Sequence, residues 1–474
     1  MKLWKALKLT ILIVWLSLTL RWGISTTYAS TLNCNTAVNI NVTTGDCQAL
    51  LDFYDSTQGT WWINATNWDT DTDVDTWRGV DTANFSWWRR VIRIGYTSPL
   101  TNNNLRGILP ASLSNLTKMT HFNVGGNHIG WTLPVSLSGW TDIQVFNVGT
   151  NDFTGTLSSE YSTWTDIGLF EVWSNDFNGS LPSAWSTWTN IYSFSVFNNN
   201  LTGSFPSAWS TRTNMRSFTA FNSNPTYQSN NHFNGPLPDS WSTWHLMEYF
   251  VIRNLNGILN NINGPLPDSW SARTNMRTFI ASKVNIIGTL PSSWSSRTGI
   301  QLFMIDNNYI TGYVPSSRYS ARPNTNWHYM QFINNCIYRA GYSTGMQAWL
   351  GNRAYLTPQR LCFTLGYTWS TWWTISGTPV QGIQPNGTGS SVTATPSIGR
   401  AFMIWDDGYT WTTRIDANVT GSLSFVAFFT WATYTLTYAA SAWWSISGST
   451  PQTVWYLWTG TSVTAIPNTW FTFV

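Results

Sequence analysis

A repeat of fixed length organises most of this chain. Three consecutive blocks align without a gap and begin at Gln144, Gly168 and Tyr192, so the repeat length is 192 − 168 = 24 residues. Further copies extend the repeat region to Val91 on one side and Asn335 on the other. Self-similarity at this length is typical of a solenoid, in which each repeat packs only on its neighbours. The chain is therefore predicted to be a stack of repeats.

Each repeat contains the pattern I-x-x-F-x-V-x-x-N-x-L/F-x-G-x-L-P. The F-x-V segment alternates apolar and polar residues, which predicts a short strand with one buried face. A later position holds Trp in most repeats but Leu113, Leu137 or Tyr161 in the early ones, so these Trp are predicted to pack in the core. The predicted buried residues are the aromatic spine Phe122, Phe146, Phe170, Phe194, Phe218, Phe250, Phe279 and Phe303, and the tryptophans Trp185, Trp209, Trp241, Trp270 and Trp294.

This pattern resembles the leucine-rich repeat, in the variety with a G-x-L-P step after the Asn. The resemblance implies a β-rich solenoid with parallel strands on a concave face and an irregular or 3-10 convex side. It also implies that the repeated Asn bonds backbone groups along each turn from inside. An amide suits that role because it both donates and accepts hydrogen bonds. The Asn residues concerned are Asn127, Asn151, Asn175, Asn199, Asn308 and Asn335.

The segments on either side of the repeats have their own signatures. Residues 1–29 have a basic start, an apolar run and small residues at the end, which predicts a cleaved secretory signal, with an uncleaved anchor as the alternative. Residues 30–90 resemble the N-terminal cap of extracellular leucine-rich-repeat proteins, and residues 336–362 resemble their C-terminal cap. The solenoid is assigned to residues 91–335.

A second repeat begins after the C-terminal cap. Gln452 aligns with Gln381, an offset of 71 residues. This repeat predicts small all-β modules, one over residues 363–433 and a truncated one over 434–474. The modules resemble the bacterial surface repeats related to the B repeats of internalins, which serve as stalks or spacers. The second copy stops at Val474, before its own W-D-D-G turn would appear, so we expect the sequence to be a fragment of a longer surface protein.

The four cysteines lie at the two ends of the solenoid. Cys34 and Cys47 bracket a short loop before the repeats, and Cys336 and Cys362 bracket the segment after them. An even number in a secreted chain favours disulfides, with four free thiols as the alternative. Two local disulfides, one sealing each end, would protect the terminal repeats, whose core faces otherwise meet water.

Charge and motifs exclude several classes of function. Charged residues are 9% of the chain, against roughly 25% in typical soluble domains. The net charge of +3 becomes 3 − 4 = −1 without the four cations of the signal, which leaves no basic patch for nucleic acid. No other stretch could span a membrane. The histidines form no H-E-x-x-H motif, and G-x-S-x-G, P-loop and C-x-x-C motifs are absent, so we predict neither an enzyme nor a cofactor.

An acidic loop precedes the repeats. Its carboxylates alternate with other residues, as ligands of Ca²⁺ can, although the Gly and the distal Glu of a calcium hand are missing. A solvated acidic loop is the favoured interpretation. The carboxylates are Asp69, Asp71, Asp73 and Asp75.

The candidate ligand surface is the concave strand face. The position after the buried Val holds Trp173, Phe197 and Phe221 in adjacent repeats and then Arg253. Glu171 and Ser195 occupy the neighbouring position of the same strands. Contiguous exposed aromatic residues usually mark a binding site, here for a protein or a glycan. The alternative is that these rings lean on one another and merely cover the strands.

The 33 tryptophans include several at positions that suit glycine. The aligned pairs are Trp131 with Gly155, Trp173 with Gly149, Trp458 with Gly387 and Trp470 with Gly399. Glycine recurs at turns because it adopts positive φ at little cost. Some bacterial lineages read UGA as glycine, and translating that codon as Trp would produce this pattern. Ordinary divergence is the alternative.

The sequence thus predicts a secreted bacterial surface protein with a recognition or adhesion function. Its concave face would bind a protein or glycan, and its β modules would form a stalk. The alternative is a structural spacer or a self-assembling cell-envelope protein without a specific ligand.

Overall fold

The computed structural model describes residues 29–469 apart from 223–229, 255–259, 297–298, 313, 315–328, 338–353, 356–362, 370–373, 378–379, 384 and 390. The chain forms two compact units. Unit 1 comprises residues 1–262, 269–284 and 297–302, and unit 2 comprises residues 263–268, 285–296 and 303–474. Nearly all of the predicted signal segment lies outside the described residues, as do residues 338–353 and 356–362 of the predicted C-terminal cap.

Unit 1 begins with one helix and continues with short strands. The helix starts where the Thr43 side chain accepts a hydrogen bond from the backbone N–H of Asp46, an N-cap that satisfies an otherwise unpaired donor. The elements are α1 Thr44–Ser56, β1 Val80–Phe85, β2 Trp88–Ile94, β3 Arg106–Gly107, β4 His121–Asn123, β5 His128–Trp131, β6 Val145–Asn147, β7 Asp152–Thr156, β8 Leu169–Glu171, β9 Asp176–Ser180, β10 Ser193–Ser195, β11 Asn200–Ser204, β12 Ser217–Thr219, β13 His232–Asn234, β14 Tyr249–Arg253 and β15 Thr278–Ser282.

The main sheet of unit 1 follows the repeat. Its strand order is β1-β2-β4-β6-β8-β10-β12-β14-β15, and every pair from β2 onward is parallel. Equivalent residues stand opposite one another, as Phe170 stands opposite Phe194. The Phe side chains of the predicted spine are fully buried, and neighbouring rings within unit 1 stack with centroids 5.4 to 5.8 Å apart. The predicted strand face and spine are confirmed.

The opposite side of the repeats consists of 3-10 turns, as predicted. The repeated Trp position lies within these turns, and Trp185, Trp209, Trp241, Trp270 and Trp294 are fully buried. The turns are Ala111–Asn115, Val135–Gly139, Ser159–Thr163, Ser183–Thr187, Ser207–Thr211, Asp239–Thr243, Asp268–Ala272 and Ser292–Ser296. Shorter 3-10 turns, Gly59–Trp61 and Val74–Thr76, lie in the segment before β1.

A second parallel sheet in unit 1 was not predicted. Its strand order is β13-β11-β9-β7-β5-β3, and its strands lie between the Asn position and the 3-10 turn of each repeat. Each central strand buries one apolar side chain, as β9 buries only Phe177. A single apolar residue gives no alternation along the sequence, so only the pairing between repeats reveals these strands.

The buried Asn side chains connect successive repeats. The Asn175 amide nitrogen donates to the carbonyl oxygens of Val148 and Val172, at 3.0 and 3.1 Å, and its oxygen accepts from the Phe153 N–H at 3.0 Å. The predicted Asn role is confirmed. Asn231 and Asn260 play the same role after the two insertions and were not predicted.

A second buried Trp position lies three residues after the first. Trp140, Trp164, Trp188 and Trp244 occupy it, and each indole N–H donates to a carbonyl oxygen of the preceding repeat at 2.8 to 3.0 Å. Arg212 and Arg273 stand at this position in two other repeats and are also fully buried. Each guanidinium donates one bond to the same type of carbonyl.

Unit 2 contains small β-sheets in the segments predicted as two β modules, residues 363–433 (the first module) and 434–474 (the second module). The elements from the end of the repeats onward are β16 Leu302–Met304, β17 Thr311–Gly312, β18 Tyr329–Gln331, β19 Cys336–Ile337, β20 Ala354–Tyr355, β21 Phe363–Trp369, β22 Thr374–Gly377, β23 Val380–Ile383, β24 Val392–Thr395, β25 Arg400–Trp405, β26 Thr413–Arg414, β27 Leu423–Trp431, β28 Thr433–Leu436, β29 Trp444–Ser447, β30 Gln452–Trp455 and β31 Thr464–Pro467. The first module has a sheet ordered β23-β21-β27-β25 and a second ordered β22-β24-β26. The second module has two two-stranded sheets, β28-β30 and β29-β31.

One predicted disulfide is present and the other is partly described. Cys34 and Cys47 are bonded, with Cα atoms 5.8 Å apart. Cys336 is also disulfide-bonded. Cys362 lies outside the described residues. The alternative of four free thiols is therefore wrong.

Candidate functional site

The candidate ligand residues lie on the face of the main sheet that points away from the core, called here the open face. Successive side chains of a strand point to opposite faces. Phe170 and Val172 are accordingly buried, whereas Glu171 and Trp173, which alternate with them, are partly exposed. The parallel register aligns Glu171 with Asn147 and Ser195 on the adjacent strands. Equivalent positions of successive repeats therefore form continuous rows across the open face.

Three aromatic rings stack along one of these rows. The centroids of Trp173 and Phe197 are 5.0 Å apart with planes 10° from parallel, and those of Phe197 and Phe221 are 4.4 Å apart at 8°. All three are partly buried. The rings do lean on one another, yet each keeps an exposed part. The pairing of Asn222 with Asn254 on the next strand places Arg253 beside Phe221, at the end of the stack.

Glu171 is a carboxylate in a partly desolvated position next to the stack. The Asn147 amide donates to its Oε2 at 2.8 Å. Burial raises the pKa of Glu171, and a hydrogen bond from the Trp173 side chain partly offsets that shift. The group therefore carries one amide partner while part of its surface faces solvent, which leaves it able to accept a further hydrogen bond.

Ser195 occupies a position of the open face, but it is not exposed there. Its side chain is buried at 6% exposure, and its hydroxyl accepts a hydrogen bond from Thr219 at 2.8 Å. A small side chain between larger neighbours is covered by them, and the sequence position alone could not show this. Thr219, which is partly exposed, is the hydroxyl available at this part of the face.

Glycines shape the open face beside the stack. A Cβ atom built on Gly149 would lie 2.6 Å from the Trp173 ring, so this indole rests directly on the Gly149 backbone. Gly125 occupies the same position one repeat earlier. The row therefore changes from bare backbone to aromatic rings at Trp173.

Trp131 lies in the second sheet in an unfavourable backbone conformation. Its φ is +65°, and 66% of its surface is exposed. Left-handed φ is uncommon for a bulky residue and costs about 1 to 3 kcal/mol. In four later repeats the equivalent residue is a glycine with φ between +73° and +81°: Gly155, Gly179, Gly203 and Gly235.

An open depression of about 460 Å³ lies beside Trp131, and no sequence pattern predicted it. Its lining includes the His128 and Asp152 side chains, whose Nδ1 and Oδ2 atoms are 3.6 Å apart. Gly107 and Gly130 also line it and contribute no side chains. Trp131 is one of the residues that line the depression, so the shape of the depression depends on which residue stands at position 131.

The alternating carboxylates proposed as a weak calcium site bind protein groups instead. The first two accept hydrogen bonds from backbone N–H groups of residues 31–32 and 38–39, and the last two form ion pairs with Arg89. In the described part of the chain no group of three or more His, Cys, Asp or Glu is placed to hold a metal ion. The calcium interpretation of Asp69, Asp71, Asp73 and Asp75 is therefore withdrawn.

The same described residues include no helix long and apolar enough to cross a membrane.

No protein-family model matches the sequence, and no curated protein matches it. Solved structures do match. The ectodomain of the Arabidopsis receptor kinase HAESA in complex with an N-terminally extended IDA peptide hormone is 17% identical, with a TM-score of 0.50 over 62% of this chain and 45% of that one. The ectodomain of the Arabidopsis receptor kinase GASSHO1/SCHENGEN3, in complex with CASPARIAN STRIP INTEGRITY FACTOR 2, is 20% identical, with a TM-score of 0.49 over 56% and 30%.

A plant ice-binding protein is also similar, at 17% identity and a TM-score of 0.45, over 63% of this chain and 97% of that one. The chain spans less than half the length of the two receptor ectodomains. At this identity the likeness concerns the fold alone. Together with the repeat, the Asn contacts and the parallel sheet, the match to the HAESA ectodomain shows that the chain has the leucine-rich-repeat solenoid fold, with small additional sheets at its C-terminal end.

Proposed function

We propose that this chain is a secreted bacterial surface protein whose open face recognises a peptide or protein segment. One observation carries the proposal: the stacked, partly exposed rings of Phe197 and Phe221 lie on a parallel sheet between a carboxylate, Glu171, and a guanidinium, Arg253. Partly exposed aromatic surface flanked by a few polar groups is typical of ligand sites. The function involves binding without turnover and without a cofactor.

The arrangement suits an extended peptide better than a sugar. Phe197 and Phe221 offer apolar surface to ligand side chains, Arg253 can donate to a carbonyl or carboxylate, and Glu171 can accept from a backbone N–H or a cation. The HAESA ectodomain, which shares the fold, was solved with a peptide hormone. We therefore place peptides and proteins ahead of glycans as ligands.

An extracellular location is consistent with the disulfides. The bond between Cys34 and Cys47 requires an oxidising compartment, and Cys336 is also oxidised. We assign residues 1–29 to a secretory signal and the modules from residue 363 onward to a stalk. A structural spacer without a ligand is the second candidate, favoured by the low charge content of the chain.

A binding selection tests the proposal. A random peptide library displayed on phage is selected against the intact protein, and the affinity of the enriched peptides is measured by calorimetry. Replacing Phe197 and Phe221 together with serine should weaken binding at least about thirtyfold, because losing two aromatic anchors at more than ~1 kcal/mol each removes more than ~2 kcal/mol of binding free energy.

The control is Phe428→Ser, which removes an exposed Phe from the first β module and should leave the affinity unchanged. Equal affinity for the double variant and the unaltered protein would place the ligand elsewhere. Failure to enrich any peptide, together with concentration-dependent assembly that the double variant does not alter, would favour the structural spacer.

We also infer that UGA was translated as Trp at several glycine positions. Trp131 supports this inference, because its φ of +65° matches the aligned glycines. Trp470, which aligns with Gly399, lies outside the described residues. Trp164 and Trp185, which are fully buried and hydrogen-bonded, belong to the genuine tryptophans.

Peptide mass spectrometry of the protein from its native host tests the recoding. Glycine is expected at positions 131 and 173, with Trp at 164 and 185 as internal controls. Trp at both 131 and 173 would rule out the recoding. With glycine at 173, three successive repeats would have glycine at this position, after Gly125 and Gly149. The aromatic stack of the ligand site would then begin at Phe197.

A further inference from the structure

Two opposite charges lie beside the aromatic rings of the open face, and both are partly exposed: Glu171 and Arg253. Elsewhere in unit 1 a carboxylate meets its cations within the chain, as Glu248 meets Arg216 and Arg277 at 3.0 and 3.7 Å. Among the described residues neither Glu171 nor Arg253 forms such an ion pair. Both charges are therefore available to a group of a ligand.

The surroundings of Glu171 favour a cation as its ligand partner. Burial raises the pKa of this carboxyl, which means that its surroundings disfavour the charged form. The Asn147 amide donates to Oε2 at 2.8 Å, but an amide is neutral and does not balance the charge. A ligand N–H would add a further neutral donor, whereas a ligand ammonium or guanidinium would also supply the missing positive charge.

Arg253 is the matching position for an anion. Its neighbours on the adjacent strands are Phe221 on one side and Ser282 on the other, and neither carries a charge. A guanidinium binds a carboxylate through two parallel N–H bonds, which a single carbonyl oxygen cannot accept in the same way. An acidic side chain of the ligand therefore suits Arg253 better than a backbone carbonyl does.

The register of the sheet sets the distance between the two charges. Glu171 lies on β8 and Arg253 on β14, with β10 and β12 between them. Three steps of ~4.8 Å place the two positions roughly 14 Å apart across the strands, which an extended peptide covers in about four residues. Arg253 also lies two residues further along its strand than Val251, which is in the row of Glu171. The long side chains of Arg253 and of a ligand lysine bridge this offset of ~7 Å.

One apolar side chain of the ligand is enough to contact the rings between the charges. The centroids of Phe197 and Phe221 are 4.4 Å apart with planes 8° from parallel, so the two rings present one continuous apolar surface. Residues i, i+2 and i+4 of an extended segment point to the same side. An apolar residue midway between two charged residues four positions apart therefore faces the rings.

We propose that the open face selects an extended peptide in which a basic residue at Glu171, an apolar residue on the rings and an acidic residue at Arg253 follow one another at intervals of two. This inference rests on the proposed function and names the class of peptide that the same site binds. Since side chains carry all three contacts, either direction of the ligand chain satisfies them.

Three further peptide selections test the charge pattern without requiring its direction to be known. Peptides enriched on the unaltered protein should carry opposite charges four positions apart with an apolar residue midway. Glu171→Lys should enrich peptides with acidic residues at both ends of this pattern, and Arg253→Glu should enrich peptides with basic residues at both ends. Glu160→Lys is the matched control, because Glu160 is exposed in a 3-10 turn, and it should enrich the same peptides as the unaltered protein.

A double-mutant cycle makes the result independent of whether the charge-reversed chains fold. The tightest selected peptide is used with its basic residue replaced by Gln. This replacement should weaken binding to the unaltered protein about tenfold, and it should change binding to Glu171→Gln by less than twofold. An equal loss on both proteins would overturn the inference, because the basic residue would then have its partner elsewhere.

The outcomes separate this inference from the proposed function. Peptides that require Phe197 and Phe221 but carry no such charge pattern, or the same pattern on all the charge variants, would overturn the inference and leave peptide recognition by the open face standing. Peptides that bind equally well without the two rings, or the enrichment of no peptide, would overturn both.

Discussion

Replacing Asn199 with alanine is expected to lower the free energy of unfolding by about 3 kcal/mol. The side chain is fully buried. Its amide donates to the carbonyl oxygens of Val172 and Val196, at 2.9 and 3.1 Å, and its oxygen accepts from the Phe177 N–H at 3.1 Å. Alanine leaves that donor without an acceptor and the carbonyls with fewer donors, and each unpaired buried group costs ~1–3 kcal/mol.

The neighbouring residue provides the control. Asn200 is exposed on β11, so Asn200→Ala should change stability by less than about 0.5 kcal/mol. Urea unfolding followed by circular dichroism measures both variants. Because repeats interact mainly with their neighbours, hydrogen exchange should show the loss of protection concentrated around β9 and β11. Equal stability of the two variants would contradict the role given to the Asn positions.

Replacing Arg212 with tryptophan is expected to stabilise the protein by about 1–3 kcal/mol, because the buried guanidinium holds donors without partners and an unpaired buried group costs ~1–3 kcal/mol. The guanidinium carbon lies 3.5 Å from the centroid of the Trp209 ring, and Nη2 donates to the Trp185 carbonyl at 3.0 Å. Nε and Nη1 have no hydrogen-bond partner, and burial lowers the pKa of the group well below its usual value.

Tryptophan should fit because other repeats already carry it at this position. Trp188, one repeat earlier, makes the equivalent bond through its indole N–H at 2.8 Å. Thermal unfolding measures the gain, and Arg216→Trp serves as the control because Arg216 is exposed and paired with Glu248. If Arg212→Trp is no more stable than the unaltered protein, the prediction is wrong, and the unpaired nitrogen atoms of the buried guanidinium do not lower the free energy of unfolding.

The repeat made much of the fold predictable. A pattern with Phe, Val and Asn at fixed spacing specifies what each side chain meets, because the neighbour in space is the same residue one repeat away. The spine and the buried Trp followed from that rule, whereas the Asn contacts followed from the resemblance to the leucine-rich repeat. Asn231 and Asn260 were missed because insertions before them break the spacing.

The candidate site was less predictable than the fold. Side-chain alternation placed Phe197 and Phe221 on the open face correctly, yet it could not show that Ser195 is covered by its neighbours. The weak prediction of a cation site in the acidic loop did not hold. The groups that bind its carboxylates come from residues 31–39 and from Arg89, which are distant in sequence. Contacts of this kind follow from packing and not from local pattern.

Locating a bound peptide on the protein tests the recognition function most directly. A photoreactive phenylalanine analogue is placed at Phe221 on the open face, or at Thr189 in an exposed turn of the same unit as a control. The tightest peptide from the selection is then added, and cross-links are identified by mass spectrometry. Cross-linking at 221 and not at 189 is the predicted result. Cross-linking at 189 alone, or at neither position despite binding, would contradict an open-face site.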